Sequence, residues 1–372
     1  MDTQYMKRAF ELAEKGRGKT SPNPVVGAVI VKDDKIIGEG FHERAGGPHA
    51  EIVALKEAGE AAREAVMCVT LEPCCHHGRT PPCTEALKEA GLKEVIVGLK
   101  DPNPKVDGKG IAELEKSGIK VQVGVLREEI AEQNEIYIKF ITTGYPFLLM
   151  KAAMSLDGKI AFHKGEQTWI SSETSRRRVH SLRAEYDAIM VGIGTVLADD
   201  PLLTARTAER KSKNPIRIIV DSALRIPSES QIARTANEVK TIIACANPNQ
   251  ERKDVLQRKG LEVLDLPGEE GRVDLKALLK ELGKREMTSV LLEGGSKLNA
   301  SVIEAGFVDK MLLFIAPVLF GNKDAPNLID SDISRAAEEH KLRISNVQMS
   351  NGDLLVEAYP QERHRQNVET DL

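Results

Sequence analysis

The sequence predicts an α/β protein built as two successive domains, and three observations carry that expectation. Strand-like and helix-like segments alternate along almost the whole chain, the pattern of a largely parallel sheet packed against helices. The 372 residues exceed what one hydrophobic core usually serves. Gly144 and Pro146 punctuate "TTGYP" between the two alternating stretches, which puts a boundary at about residue 145. The expected division is 1–144, then 145–360, then a polar tail over 361–372.

In the first domain Met6, Phe10 and Ala13 recur at helical spacing in "QYMKRAFELAEKG", and Gly16 ends the helix. "PVVGAVIVKDDKIIGEGF" reads as two strands joined by a turn at "KDD". A helical pattern runs from about His49 to Ala62. "MCVTL", "EVIVGL" and "IKVQVGV" are strands separated by helices in "CTEALKEAG" and "GIAELEKSG", and a helix is predicted near 127–141. The second domain opens on a strand in "FLLMKAAMSLDGKIA". Further strands at "AIMVGI", "PIRIIVD", "TIIACA", "SVLLEGG" and "KMLLFIAPVLF" alternate with helical patterns at "SSETSRRRVHSLRAE", "ERKDVLQRKG", "LKALLKELGKR" and "SKLNASVIEAG". The chain closes on a hairpin that turns at Asn351-Gly352.

Composition excludes several classes. With 41% apolar and 29% charged residues the chain is an ordinary soluble globular protein. No apolar run approaches the roughly 20 residues that span a bilayer. "MDTQYMKRAF" lacks the basic-then-apolar layout of a secretory signal, so a cytoplasmic protein with no membrane partner is expected. Five cysteines, two of them adjacent, do not form a disulfide framework. A net charge of −4 and 4% aromatic content speak against nucleic acid as a partner.

The stretch from His49 to Cys83 carries the chemistry. Zinc favours nitrogen and sulfur ligands in a tetrahedron, and a catalytic zinc keeps one corner for water. His49, Cys74 and Cys83 offer three ligands, the last two across the proline-stiffened loop "PCCHHGRTPPC". Cys83 also begins a predicted helix, where the dipole favours a thiolate. Glu51 lies too near His49 in sequence to complete the tetrahedron comfortably, and suits proton transfer to and from a water instead. His-x-Glu followed by Pro-Cys and a later Cys is the zinc deaminase signature, with glutamate as acid and base; the spacing from Cys74 to Cys83 is longer than its usual form. Two other readings stand beside this one. The cysteines could be core residues, or Cys75, His76 or His77 could close a structural site with a fourth ligand and leave Glu51 without a role.

At these residues the chain resembles the cytidine deaminase superfamily. "NPVVGAVIVKDDKIIGEGFHERAGGPHAE", "TLEPCCHHGRTPPC" and "DPNPKVDGKG" resemble the deaminase half of the bifunctional riboflavin-biosynthesis deaminase/reductase family. "KAAMSLDGKIA", "WISS", "VGIGTVLADDPLLTAR", "RIIVDSALRIP" and "LLEGGSKLNAS" resemble its reductase half, in the same order. The resemblance spans residues 1–358. It implies a cytidine-deaminase-like three-layer domain followed by a dihydrofolate-reductase-like α/β domain. It also implies one Zn²⁺ per chain, NADPH, and a pyrimidine ribosyl phosphate substrate that is deaminated on its ring and then reduced on its sugar. Families of this kind often self-associate, so a homo-oligomer is expected.

For the first half, Asn23 is a candidate to read a pyrimidine edge or ribose hydroxyls, as similar deaminases do; the alternative is a turn residue between prolines. His42 is a second candidate, against the alternative of an exposed histidine. His76, His77 and above all Arg79 are candidate phosphate contacts near the metal loop. In the second half, Gly192-x-Gly194 fails the dinucleotide fingerprint because Leu197 stands at the third glycine position. "LLEGGSKLNAS" instead offers a strand, a glycine turn and a helix start where a pyrophosphate can meet free amides. The resemblance implies NADPH contacts at Ala153, Trp169, Thr195, Asp199, Ser222 and the run Gly295, Ser296, Lys297, Leu298, Asn299, Ala300 and Ser301. It implies substrate contacts at Gln167, Arg183, Leu203, Arg206 and Glu293. Gln167 departs from the family's usual serine and puts that contact in doubt. Lys151 and Glu293 are the candidate proton donors.

Overall fold

The computed structural model describes residues 2–76, 81–163, 170–207, 213–330 and 340–361. It divides into two compact units, Met1–Tyr145 and Pro146–Leu372.

The first unit is one five-stranded sheet. Its strands are β1 (Gly27–Lys32), β2 (Lys35–Phe41), β3 (Val66–Leu71), β4 (Glu94–Leu99) and β5 (Lys120–Val123), in the order β2-β1-β3-β4-β5. β1 runs antiparallel to β2 and β3, whereas β3, β4 and β5 are parallel. The helices are α1 (Asp2–Glu14), α2 (Ala50–Ala58), α3 (Cys83–Glu89), α4 (Lys109–Lys116), α5 (Arg127–Gln133) and α6 (Glu135–Thr143). Successive strand residues point to opposite faces, and both faces are covered. Ala28, Ile30, Met67, Val69 and Val95 pack with Ala50, Ala54, Leu87 and Leu114 from α2, α3 and α4. Val29, Val31, Cys68 and Ile96 pack with Met6, Ala9, Ile130 and Tyr137 from α1, α5 and α6. The result is three layers. Burial on both faces is why the strands read as unbroken apolar runs.

Two glycines let α2 lie directly on β2. A Cβ at Gly40 would sit 2.3 Å from the Ala50 carbonyl oxygen, and one at Gly38 would sit 2.4 Å from that of Ala54. This close approach fixes the start of α2, where His49 and Glu51 lie. The turn expected at "KDD" uses left-handed backbone at Asp33 and Asp34, with φ of 50° and 58°. The helix expected over 127–141 is broken at Asn134. Its side chain leaves the helix to satisfy the Val25 backbone, accepting from Val25 N at 3.0 Å and donating to Val25 O at 3.1 Å. The pattern from His49 to Ala62 also divides, into α2 and a 3₁₀ turn over Gly59–Ala62.

The second unit holds nine strands: β6 (Phe147–Ser155), β7 (Ala188–Gly192), β8 (Ile216–Val220), β9 (Thr241–Cys245), β10 (Glu262–Asp265), β11 (Ser289–Leu292), β12 (Lys310–Ala316), β13 (Leu342–Ser350) and β14 (Asp353–Pro360). They are ordered β10-β9-β8-β7-β11-β6-β12-β14-β13. The first seven are parallel, and the last two form the hairpin expected at Asn351-Gly352, where both φ values are positive. The helices are α7 (Glu173–Glu185), α8 (Ile193–Asp199), α9 (Gln231–Arg234), α10 (Gln250–Arg258), α11 (Leu275–Lys284) and α12 (Ser296–Glu304). β10, α8 and α9 are too short to show a periodicity and escape sequence reading. β12 stops at Ala316 because Pro317 cannot donate to the ladder. The chain doubles back around β7, β11 and β6, and the carboxyl ends of strands at such a reversal are where α/β sheets commonly bind ligands.

Gly40→Ala is expected to destabilise the first unit by about 1–3 kcal/mol, since backbone must move to admit the methyl group. A urea midpoint equal to that of the parent protein would show that α2 does not depend on this contact.

Candidate functional site

In the first unit three ligand atoms converge. His49 stands at the N-cap of α2, Cys83 is the first residue of α3, and Cys74 lies on the loop leaving β3. His49 Nδ1 is 3.1 Å from Cys83 Sγ and 3.5 Å from Cys74 Sγ. One ligand atom from each residue lies within 4.8 Å of the others. Cys74 Sγ also accepts the Cys83 amide at 3.4 Å, and its carbonyl accepts the Thr84 amide at 3.2 Å. The α3 N-terminus is therefore wrapped around the Cys74 loop. The Cys83 side chain holds the Cys74 thiol down to about 4, while the same contact and burial push the Cys83 thiol up. An imidazole nitrogen and two such sulfurs form the donor set that zinc favours. Neither Cys75 nor His76 joins the cluster, and His77 lies outside the described residues.

Glu51 is 3% exposed, on the first turn of α2 and beside the cluster. Burial pushes its carboxyl up, opposed by the charge of His49. A carboxyl whose proton is held more tightly than usual is suited to taking and returning one. His42 is 3% exposed and not a solvated histidine. Its Nδ1 donates to the Pro48 carbonyl at 3.0 Å, which leaves Nε2 to accept the Asn23 amide at 3.1 Å. Its ring meets that of His49 edge-on, with centroids 5.4 Å apart. Asn23 and His42 thus form one hydrogen-bonded pair beside His49. Arg79 lies outside the described residues.

Sequence reading missed the support under this loop. Glu72, buried two residues before Cys74, accepts the amides of Asp101, Gly108 and Ile111 at 3.0–3.2 Å. It pins the "DPNPKVDGKG" segment against the metal loop. Asp101 accepts the Tyr137 hydroxyl at 3.0 Å, and burial pushes its carboxyl up to about 6. The adjacency of "EP" to Cys74 was the available signal.

In the second unit the decisive feature is a buried ion cluster at the end of β11. Arg183, on α7, donates to Glu293 through Nε (2.7 Å) and Nη2 (3.0 Å), and Lys151 Nζ from β6 lies 3.6 Å from the same carboxylate. Burial alone would raise Glu293, but Arg183 and Lys151 hold it at about 2. Burial lowers Lys151, and Arg183 lowers it further, against the pull of Glu293. Glu293 is therefore held ionised by its two cations, whereas Lys151 is eased toward giving up its proton. His180, one turn before Arg183, was not anticipated. Burial lowers its pKa, as do Arg183 and Arg206, and its Nδ1 is buried without a hydrogen-bond partner.

The other expected contacts gather at the carboxyl ends of the strands. Ala153 is near the end of β6, Thr195 and Asp199 lie on α8 after β7, and Ser222 follows β8. Gly295 caps α12, and a Cβ there would come within 3.3 Å of Thr195 Oγ1. The first backbone bond of α12 runs from Asn299 N to Gly295 O, so the amides of Ser296, Lys297 and Leu298 have no acceptor inside the helix. Leu298, Asn299 and Ala300 turn their side chains into the protein, while Lys297 is exposed and Ser301 half-buried. The glycine turn and helix start thus suit a cofactor's phosphates through backbone amides. Leu203 packs its side chain in the core with φ of 52°, which leaves its backbone for any ligand, and Arg206 is exposed. Gln167 and Trp169 lie outside the described residues.

Residues 146–356 match the family model of the RibD C-terminal domain. The chain belongs to the RibD family. Residues 1–99 match the cytidine and deoxycytidylate deaminase zinc-binding region. The chain is 44% identical to the riboflavin biosynthesis protein RibD of Actinobacillus pleuropneumoniae, over 96% of this chain and 94% of that one. It is 43% identical to that of Aquifex aeolicus, over 96% and 98%. The Acinetobacter baumannii RibD structure superposes with a TM-score of 0.86 at 37% identity, covering 96% of this chain and 98% of that one. A deaminase/reductase from Thermotoga maritima superposes at 0.83 with the same identity and coverage. As a RibD family member the chain is a bifunctional enzyme, a zinc-dependent deaminase joined to an NADPH-dependent reductase that acts on a small molecule. Its first unit has the cytidine-deaminase-like fold and its second the dihydrofolate-reductase-like fold. Among the described residues no helix is long and apolar enough to cross a membrane.

Because Glu293 is held at about 2 against an ordinary 4.5, its ion pairs add stability that is complete above pH 4.5 and lost as pH falls toward 2. The difference corresponds to about 3 kcal/mol. Urea melts should show the stability gap between the parent protein and Glu293→Gln narrowing by about that amount between pH 5 and pH 2. A constant gap would mean the carboxylate is not held ionised by its partners.

Proposed function

We propose that the two units catalyse consecutive steps of riboflavin biosynthesis on one substrate, 2,5-diamino-6-ribosylamino-4(3H)-pyrimidinone 5′-phosphate. The ring amino group is hydrolysed to a carbonyl with release of ammonia, and the ribosyl chain is then reduced to ribityl. The convergence of His49, Cys74 and Cys83 beside a buried Glu51 is the observation that carries this reading.

His49 Nδ1 and the sulfurs of Cys74 and Cys83 would hold the zinc, which supplies Lewis-acid activation of water near neutral pH. Glu51 takes a proton from the attacking water and places it on the ring nitrogen; it then takes the proton of the new hydroxyl and passes it to the amine, which leaves as ammonia as the carbonyl forms. Asn23, oriented by His42, reads the pyrimidine or its ribose, and Arg79 meets the 5′-phosphate. In the second unit the residues Ala153, Trp169, Thr195, Asp199, Ser222 and Gly295 to Ser301 hold NADPH, the hydride source. Arg183, Arg206, Gln167 and the Leu203 backbone hold the substrate against it. As the carbon of the opened sugar accepts the hydride, its double bond to the heteroatom is lost, and Lys151 Nζ gives that oxygen or nitrogen a proton. Glu293 keeps Lys151 and Arg183 in place and offers its remaining acceptor capacity to the substrate.

The test supplies the diaminopyrimidine phosphate to zinc-loaded protein and then adds NADPH. Ammonia should appear first, and NADPH should be consumed only afterwards. Glu51→Gln should keep its zinc yet release ammonia at least about 100-fold more slowly. Lys151→Met should bind NADPH yet reduce the deaminated product about 100-fold more slowly. Unchanged turnover in either variant removes that residue from its role.

The same reading includes self-association and a cytoplasmic site of action. Reduced cysteines at a zinc centre and a need for NADPH suit the cytoplasm. β13 is an edge strand, and Ile344, Val347 and Met349 on it are 61%, 54% and 66% exposed. An apolar edge of this kind is a hazard unless covered, and a second copy related by a two-fold axis would cover it. Replacing Val347 and Met349 by lysine should convert the dimer to a monomer in light-scattering chromatography. A single unchanged mass for parent and variant would exclude this edge as the interface.

A further inference from the structure

Arg217, in the middle of β8, is the largest side chain with no exposure at all. A buried charge normally has an opposite charge against it. Among the described residues no carboxylate hydrogen-bonds to this one: Glu238 acts on it only through its charge, and its donors all reach neutral acceptors. Nε donates to Thr241 Oγ1 at 2.8 Å. Nη1 donates to Thr235 Oγ1 at 2.8 Å and to the Leu202 carbonyl at 3.3 Å. Nη2 donates to the carbonyls of Val239 (2.8 Å), Thr235 (3.1 Å) and Ile232 (3.2 Å). Burial lowers the guanidinium only to about 10, so it is charged at neutral pH.

These acceptors are not scattered. Ile232, Thr235 and Val239 lie on α9 and just beyond it, and Leu202 lies on the segment that follows α8. The start of α9 holds that same segment from its other end: Gln231 donates its amide to Asp200 Oδ1 at 2.8 Å and its side chain to the Asp200 carbonyl. The segment needs holding. Asp200 and Leu203 both adopt left-handed backbone, with φ of 39° and 52°, which costs a non-glycine residue free energy. Further on, the Thr204 carbonyl accepts Arg183 Nη1 at 3.2 Å, and the Ala205 amide reaches Asn214 Oδ1 at 3.0 Å.

We propose that Arg217 is a positioning residue of the reductase reaction: it fixes the Leu202 carbonyl so that the Leu203 backbone and Arg206 are presented to the pyrimidine phosphate. This rests on the assignment of Leu203 and Arg206 to the substrate. A hydrocarbon side chain would fill the same space more cheaply. What it cannot do is satisfy four backbone carbonyls on two separate segments at once. The guanidinium does so with a rigid fork that a lysine ammonium lacks.

The test uses the full chain carrying Arg217→Lys, Arg217→Met or Arg206→Ala. Reduction of the deaminated product is followed at saturating NADPH. NADPH affinity is measured by fluorescence, ammonia release reports on the first unit, and hydrogen exchange is read by mass spectrometry. For Arg217→Lys we expect the KM for the pyrimidine phosphate to rise about tenfold, the worth of one lost charged hydrogen bond. NADPH affinity and ammonia release should stay as in the parent. Exchange should quicken over 200–206 while β8 and β9 stay protected. Arg217→Met should be worse in KM, the lysine recovering part of the loss. If Arg217→Met does not fold, Arg217→Lys alone decides. An unchanged KM, or exchange that quickens across β8 and β9 together with lost NADPH affinity, would mean that Arg217 only staples the fold, and the proposal fails. Arg206→Ala separates the two levels. If it leaves KM unchanged, the substrate assignment falls and the proposal with it. If it raises KM while the Arg217 variants do not, only the proposal falls.

Discussion

A carboxylate taken out of water must either find a cation or hold its proton, and both sites of this protein are built on that choice. Glu51, on the first turn of α2, and Glu293, just after β11, are both carboxyl groups largely withdrawn from water. Around Glu51 burial dominates and the nearest cation is a single imidazole, so the proton is held more tightly than usual. Around Glu293 a bidentate guanidinium and an ammonium outweigh burial, so the proton is lost. The first environment gives a group that can exchange protons, as a hydrolysis requires. The second gives a fixed negative charge that holds two cations in place. The chemistry of each half follows from the neighbours and not from the residue type, which is the same in both.

The neighbours in turn depend on where backbones can approach. α2 brings His49 and Glu51 to Cys83 because Gly38 and Gly40 let it lie on β2 with no side chain between. α12 brings its free amides toward α8 because the Gly294-Gly295 turn lets the chain pass close to Thr195. In each unit a glycine contact sets the position of a helix start, and the helix start carries the functional groups.

Much of this was legible in the sequence. Every long strand and helix announced itself by periodicity, and the metal cluster did so by residue type and order. What was not legible falls into two kinds. Three short elements, β10, α8 and α9, carry too few residues to show a repeat of their own. Departures from a local pattern caused by distant backbone were equally hidden: Asn134 breaks a helix to satisfy Val25, which lies 109 residues away in sequence. The same limit applies to the sites. Lys151 and Glu293 could be named as candidates, but it could not be read that Arg183 closes on Glu293 from a helix 110 residues earlier in the chain.

Arg217 shows how far that limit reaches. In the sequence it is one basic residue in "PIRIIVD", a place where alternation predicts a solvated side chain on an edge or a half-buried strand. The sheet order instead puts β8 between β7 and β9, and the consecutive residues Arg217, Ile218 and Ile219 are all fully buried, so both faces of the strand are covered and the charge has no route to water. A strand so enclosed would ordinarily exclude arginine. Its presence there is accounted for only by the carbonyls it meets, and those belong to α9 and to the strained segment after α8. Neither has a periodicity of its own to keep it in place. An irregular segment needs its backbone groups satisfied from outside, and a buried guanidinium with six hydrogen bonds to neutral acceptors is a means of doing so that adds no negative charge of its own.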